Sequence, residues 1–138
     1  MTENTKVILK QKHAESYVDV AVTVMIVAFV LVFAVNMVSL VALNQNVKTV
    51  ADQLTEYASM KGTTEVGSYA EDLRQKTGID FTYSFAGSTT IDSSGRVQLG
   101  EQIVCTVTSR NSMIGFGSVI HPVELRASAS GLSRVYWK

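Results

Sequence analysis

Few side chains in this sequence are of a type that does chemistry. Two histidines, His13 and His121, and one cysteine, Cys105, complete those residue types, and they lie far apart along the chain. A catalytic or structural zinc needs three or four such ligands at characteristic spacings, and neither H-E-x-x-H nor paired C-x-x-C occurs, so no metal is expected. Serines are plentiful, but the G-x-S-x-G turn that exposes a nucleophile is absent. Gly115-Phe116-Gly117 lacks the further glycine and the strand-to-helix context of a phosphate loop, and reads as a turn with a buried Phe. With no nucleophile, base and oxyanion donor in one constellation, the chain is expected not to be an enzyme and to carry no cofactor.

Two other chemistries remain to be weighed. Arg96, Arg110, Arg126 and Arg134, with Tyr83, Tyr136 and Trp137, would suit a basic aromatic surface for nucleic acid. Twelve Lys and Arg balance twelve Asp and Glu, however, and these arginines are scattered. They read as solvated residues that discourage sheet aggregation, and no direct nucleic-acid partner is expected. Asp19 is different. It stands immediately before 28 residues, Val20 to Val47, that hold no Asp, Glu, Lys, Arg or His.

That setting is the first of the elements that position these side chains. Val20 to Leu43 contains 21 apolar residues in 24, interrupted only by Thr23, Asn36 and Ser39. At about 1.5 Å per residue this makes roughly 36 Å of helix, against a hydrocarbon core of about 30 Å, so a transmembrane span is expected over 20–43. A cleavable secretory signal has a shorter apolar region and ends in small residues, whereas Asn44-Gln45-Asn46 follows here. Lys6, Lys10 and Lys12 precede the span, and Lys48 and Lys61 follow it. The lysine excess puts the N-terminus in the cytoplasm and the rest of the chain outside. Cys105, alone, forms no intramolecular disulfide there and reads as a small buried strand residue.

No Gly or Pro occurs between Ala14 and Lys61, so one helix is expected to run through both the span and its continuation. The continuation is amphipathic, with Val47, Val50, Ala51, Leu54, Tyr57 and Ala58 at spacings of three and four, and Gly62 ends it. A second helix is expected from Thr64 as N-cap, with Val66, Tyr69, Ala70 and Leu73 on one face and Gly78 just past its end. The period then changes to two: Ile79, Phe81, Tyr83 and Phe85 alternate with Asp80, Thr82 and Ser84, predicting a half-buried strand. Asp92-Ser93-Ser94-Gly95 predicts a turn. Strands follow at Arg96–Leu99 and Gln102–Ser109, as one arm bulged at Gly100, then an irregular stretch to Gly117, and strands at Ser118–Ser130 and Ser133–Trp137.

A chain of 138 residues is one small domain or less. The predicted organisation is a cytoplasmic leader at 1–14, a long helix at 15–61 and an extracytoplasmic head at 62–138. The fold class is α+β, with the helix stripe covered by an antiparallel sheet of three to five strands.

The short Lys-containing leader, a small residue, an acid five places into the following helix, a long apolar run and a β-rich head together resemble type IV pilins and TadE-like pseudopilins. The resemblance implies that Ala14 precedes the processing point, Glu15 is the first mature residue, and Asp19 is the acidic residue that serves assembly. The leader ends in Ala where Gly is usual, and the acid is Asp where Glu is usual; removal and retention of the leader both stay open. Glu15-Ser16-Tyr17-Val18-Asp19-Val20 and the ending Ser130-Gly131-Leu132-Ser133-Arg134-Val135-Tyr136-Trp137-Lys138 are similar to a family of short membrane-anchored proteins of Gram-positive bacteria that brings no assigned activity.

The function this implies is a pilin or pseudopilin subunit of a type IV or Tad-like filament, secretion or conjugation apparatus, at the cell membrane or in an extracellular filament. Its expected partners are the membrane, further copies or related pilin-like subunits, and the assembly machinery. The alternative is a monomeric membrane-anchored accessory protein that binds a partner through its sheet edge or aromatic C-terminus.

Overall fold

The computed structural model describes residues 3–111 and 122–138. It forms two compact units, Met1–Val38 and Ser39–Lys138, and one helix, α1 (Glu3–Lys61), contributes to both. In the first unit the apolar residues of α1 point outward all round, with Met25 73% and Leu31 61% exposed. The helix is long and apolar enough to cross a membrane. Two of the polar residues inside its apolar run satisfy themselves one turn back: Thr23 Oγ1 donates to the Asp19 carbonyl (2.8 Å) and Asn36 Nδ2 to the Val32 carbonyl (2.8 Å). In lipid, where no water completes a polar group, such back-bonding removes most of the cost of these side chains.

The second unit is an α+β head built on the rest of α1. The stripe read from the sequence is its spine: Val47, Val50, Ala51, Leu54 and Ala58 are all at most 1% exposed. Tyr57, at the margin, stacks on Tyr69 with ring centroids 4.3 Å apart. Helix α2 (Gly67–Thr77) adds Val66, Ala70 and Leu73 to the core. Both helices end at a glycine with positive φ, Gly62 (+64°) and Gly78 (+66°), as their positions predict. The N-terminus of α2 differs from expectation. Its N-cap is Val66, without a side-chain cap, because the Thr64 hydroxyl is engaged with the Gly95 carbonyl (3.2 Å).

Three strands form an antiparallel sheet in the order β1 (Thr82–Ser84), β2 (Gln102–Asn111), β3 (Val123–Leu132). On β2, Ile103, Cys105, Val107 and Ser109 are buried and alternate with more exposed residues, the period expected of a strand with one covered face. Opposite them on β3 stand Gly131, Ala129, Ala127 and Leu125, in an unbroken register of ten pairs.

The predicted strands are corrected in four places. Ile79–Phe85 pairs only over Thr82–Ser84, although Phe81 is buried and Ile79, Tyr83 and Phe85 pack against the core. Arg96–Leu99 is not a strand; Arg96 makes an isolated bridge with Thr63, and Leu99–Gly100 is a turn rather than a bulge, with Gly100 at φ +81°. β2 runs on to Asn111, and the following strand is described over Val123–Leu132. Gly115-Phe116-Gly117, Ser118 to Ile120 and His121 lie outside the described residues. Ser133–Trp137 forms no strand. It crosses the end of α1 as a strap, with Ser133 Oγ donating to the Val97 carbonyl (2.9 Å) and Arg134 N–H to that of Ser59 (2.9 Å).

Candidate functional site

Ala14, Glu15 and Asp19 all lie on α1, so the Ala14–Glu15 bond sits in helical backbone. Glu15 and Asp19 are four residues apart, which puts both carboxylates on one helix face. Both residues are exposed, and neither forms an ion pair among the described residues. From Asp19 onward the helix offers an acid at the margin of an outward-facing apolar surface. The physical role open to such a pair of features is association with lipid or with other apolar helices.

The head carries three further features. The first is the C-terminal strap. Trp137 Nε1 donates to the Gly62 carbonyl (3.0 Å), and the Gln98 side-chain amide closes a two-way pair with the Trp137 backbone (3.0 and 2.7 Å). The Arg96 guanidinium lies 5.5 Å from the Trp137 ring centre and pairs with Asp92. The Ser94 hydroxyl and Arg96 together hold the Asp92 carboxyl down to about 2. Trp137 is thus spent inside the molecule, while Tyr136 remains 65% exposed. Of the other arginines, Arg110 pairs with Glu124 (3.5 Å), the register sets Arg126 diagonally beside it on the exposed face of the sheet, and Arg134 is exposed on the strap.

Cys105 is fully buried, and burial pushes its thiol up to about 11 despite a counteracting hydrogen bond with Thr55. A thiol this far from ionisation is a poor nucleophile at neutral pH. Among the described residues, no group of three His, Cys, Asp or Glu side chains stands close enough to hold a metal.

The remaining features are the sheet's two edges. Ser88 Oγ accepts from Val104 N–H (2.9 Å) and donates to the Val104 carbonyl (3.2 Å), and Thr89 N–H donates to the Gln102 carbonyl (3.1 Å). The backbone groups of even-numbered β2 residues therefore face the β1 side, and the odd-numbered ones face β3. On β1, Phe81, Tyr83 and Phe85 accordingly face outward. Two of these are already engaged: Arg74 donates twice to the Phe81 carbonyl (3.2 and 2.8 Å), and Ser88 N–H donates to that of Phe85 (3.1 Å). On β3 the register leaves Glu124, Arg126, Ser128 and Ser130 facing outward, with no backbone partner among the described residues. Beside that open edge runs a groove of about 580 Å3 between α1 and Ala129–Leu132. Sequence reasoning missed it, because Asp52 and Glu56 in its wall look like any solvated helix face.

No curated protein and no solved structure matches the chain. A family model described as Domain of unknown function (DUF4320) matches residues 24–138. The matched range begins inside the apolar run, beyond Ala14, Glu15 and Asp19, and takes in the whole head with its C-terminal strap. With most of its length covered in this way, the chain belongs to the DUF4320 family.

Proposed function

We propose that this protein is a pilin-like structural subunit, pilin or pseudopilin, of a type IV or Tad-like filament, secretion or conjugation apparatus. Its N-terminus is cytoplasmic, its head extracytoplasmic, and copies associate through the apolar part of α1. The observation that carries this reading is a helix apolar on every side that continues as the spine of an α+β head, with one acid at the margin of its apolar run. Lipid satisfies such a surface in the single molecule, and neighbouring helices satisfy it in an assembly.

Asp19 supports the assembled form. An unpaired carboxylate drawn into an apolar bundle costs several kcal/mol, so it needs a cation from a neighbour. If the chain is processed at Ala14–Glu15, the new N-terminal amine supplies it; if not, Lys10 or Lys12 of a neighbour does. The test is the ratio of sheared or crosslinked oligomer to total membrane-bound protein. Asp19→Ala should insert as well as wild type and assemble less, and Asp19→Glu should be tolerated. Equal assembly by Asp19→Ala would reduce Asp19 to an interfacial residue and remove the main support for the filament.

A second reading, a monomeric anchored accessory protein, draws on the open β3 edge. Negative-stain images of sheared surface material distinguish the two, since only a filament subunit appears in filaments.

A further inference from the structure

The two edges of the sheet are treated differently, and the difference points to a partner. β1 is three residues long and its outward carbonyls at Phe81 and Phe85 are capped from within the molecule. β3 is ten residues long, unbroken by a bulge, free of Lys and Pro, charged only at Glu124 and Arg126 near its start, and unpaired on its outer side among the described residues. Exposed edges of this kind recruit another strand, which is why proteins ordinarily blunt them. The side chains of β3 that face the helix are small, Ala127, Ala129 and Gly131, and α1 presents Thr55 and Ser59 across from them. A Cβ added at Gly131 would meet Ser59 Oγ at 2.8 Å, so helix and strand are close at the groove floor. The groove beside them has space for a main chain.

The occupant is narrowed by charge and by direction. Asp52 and Glu56, one helical turn apart, line the wall without an ion-pair partner among the described residues. Arg134, whose backbone N–H is held to the Ser59 carbonyl, lines the same groove. A side chain facing α1 from an added strand would meet the two unpaired carboxylates on the helix wall, and a basic one fits them.

Thr55 bonds the Ala129 carbonyl (3.5 Å) and Ser59 lies at Gly131, so α1 and β3 run in the same direction. A second copy's β3 added antiparallel would turn Leu125, Ala127, Ala129 and Gly131 to the helix side, none of them a cation for Asp52 and Glu56. The capped β1 edge of another copy is not a suitable strand either. We infer that the groove between α1 and β3 receives an extended segment of a different chain, added as a strand to β3, with a Lys or Arg directed at Asp52 and Glu56.

This inference rests on the head alone and is measured on dispersed protein, so it stands or falls separately from the filament. The full chain in detergent micelles is titrated with a short acetylated and amidated peptide, Thr on one face and alternating Lys and Val on the other. The same peptide with Glu for Lys is the control, and binding is followed by calorimetry and amide hydrogen exchange. The Lys peptide should slow exchange at Arg126, Ser128 and Ser130 and bind roughly tenfold more tightly than the Glu peptide. Asp52→Asn with Glu56→Gln, both exposed, should remove that preference and leave the fold intact. Ser130→Pro, which removes an outward N–H and no ladder bond, should abolish binding of either peptide. Unchanged exchange at the three amides, or equal affinity for both peptides, would overturn the inference.

Discussion

Gly62 is where α1, the sheet-side loop and the C-terminal strap meet, and replacing it with Ala separates the energies involved. The residue has φ +64°, its N–H bonds the Ala58 carbonyl (2.8 Å), and its own carbonyl accepts from Val97 N–H (2.8 Å) and Trp137 Nε1 (3.0 Å). A Cβ there would lie 2.6 Å from Val135 Cβ and 2.9 Å from Trp137 Nε1. Left-handed backbone costs a non-glycine residue about 1–2 kcal/mol, and overpacking adds about 1–3 kcal/mol. Gly78 is the internal control: its φ is +66°, but nothing lies within 4 Å of its added Cβ. Gly78→Ala should therefore lose only the backbone part, about 1 kcal/mol or roughly 4–8 °C in Tm for a head of this size, and Gly62→Ala roughly two to three times as much. Trp137 is the only tryptophan, so its fluorescence during thermal unfolding in micelles reports the strap directly. Val135→Gly in the Gly62→Ala background should recover the part of the excess owed to Val135 and leave the backbone part and the contact with Trp137 Nε1. Equal losses at Gly62 and Gly78 would refute the packing of the strap on the helix end.

Three further outcomes are expected. Native protein should resist iodoacetamide at Cys105 near pH 8, where a thiol pushed up to about 11 is almost wholly protonated and fully buried, and should react once denatured; a native rate like that of a free thiol would contradict the burial. Asp92 has its carboxyl held below its ordinary 3.8, at about 2, so its contribution to stability is present above about pH 4 and is lost as pH falls toward 2; Asp92→Asn should flatten that part of the acid-unfolding curve, and an unchanged curve would discount the Asp92–Ser94–Arg96 cluster. With Cys105→Ala as background, Ser94→Cys should be labelled by an impermeant maleimide on intact cells; labelling only after lysis would reverse the proposed orientation.

Much of the architecture was legible because it rests on local rules. The stripe from Val47 to Ala58 followed from spacing, and the ends of both helices from Gly62 and Gly78. Cys105 was read as a small buried strand residue, and it is one, on β2. Alternation overstated β1, because tertiary partners intervene: Ser88 takes over the backbone of Val104, and Arg74 that of Phe81, where further strand pairs would have formed. Ser133–Trp137 also looks like a strand, yet its groups go to Val97, Ser59, Gln98 and Gly62 rather than to a neighbouring strand. Asp19 was visible because a lone charge before an apolar run stands out. The β3 edge was not, since whether a strand lies at an edge is a property of strand order and leaves no mark on the strand's own residues.

The way the core is divided sets what the head can be without its helix. Five of its buried residues, Val47, Val50, Ala51, Leu54 and Ala58, come from α1, and Leu54 is among the largest of the wholly buried side chains. Burial of each Val or Leu is worth about 1.5–3 kcal/mol, whereas an entire small domain is stable by only about 5–15 kcal/mol. Three valine and leucine positions alone thus approach the whole margin, before the hydrogen bonds from Thr55, Ser59 and Gly62 to the sheet and strap are counted. The head is consequently a domain only as far as it keeps the helix from about Ser39 onward. The helix that bears the apolar surface is also the one that supplies the core, so the run long and apolar enough to cross a membrane and the residues that fold the head belong to one uninterrupted element with no Gly or Pro between Ala14 and Lys61.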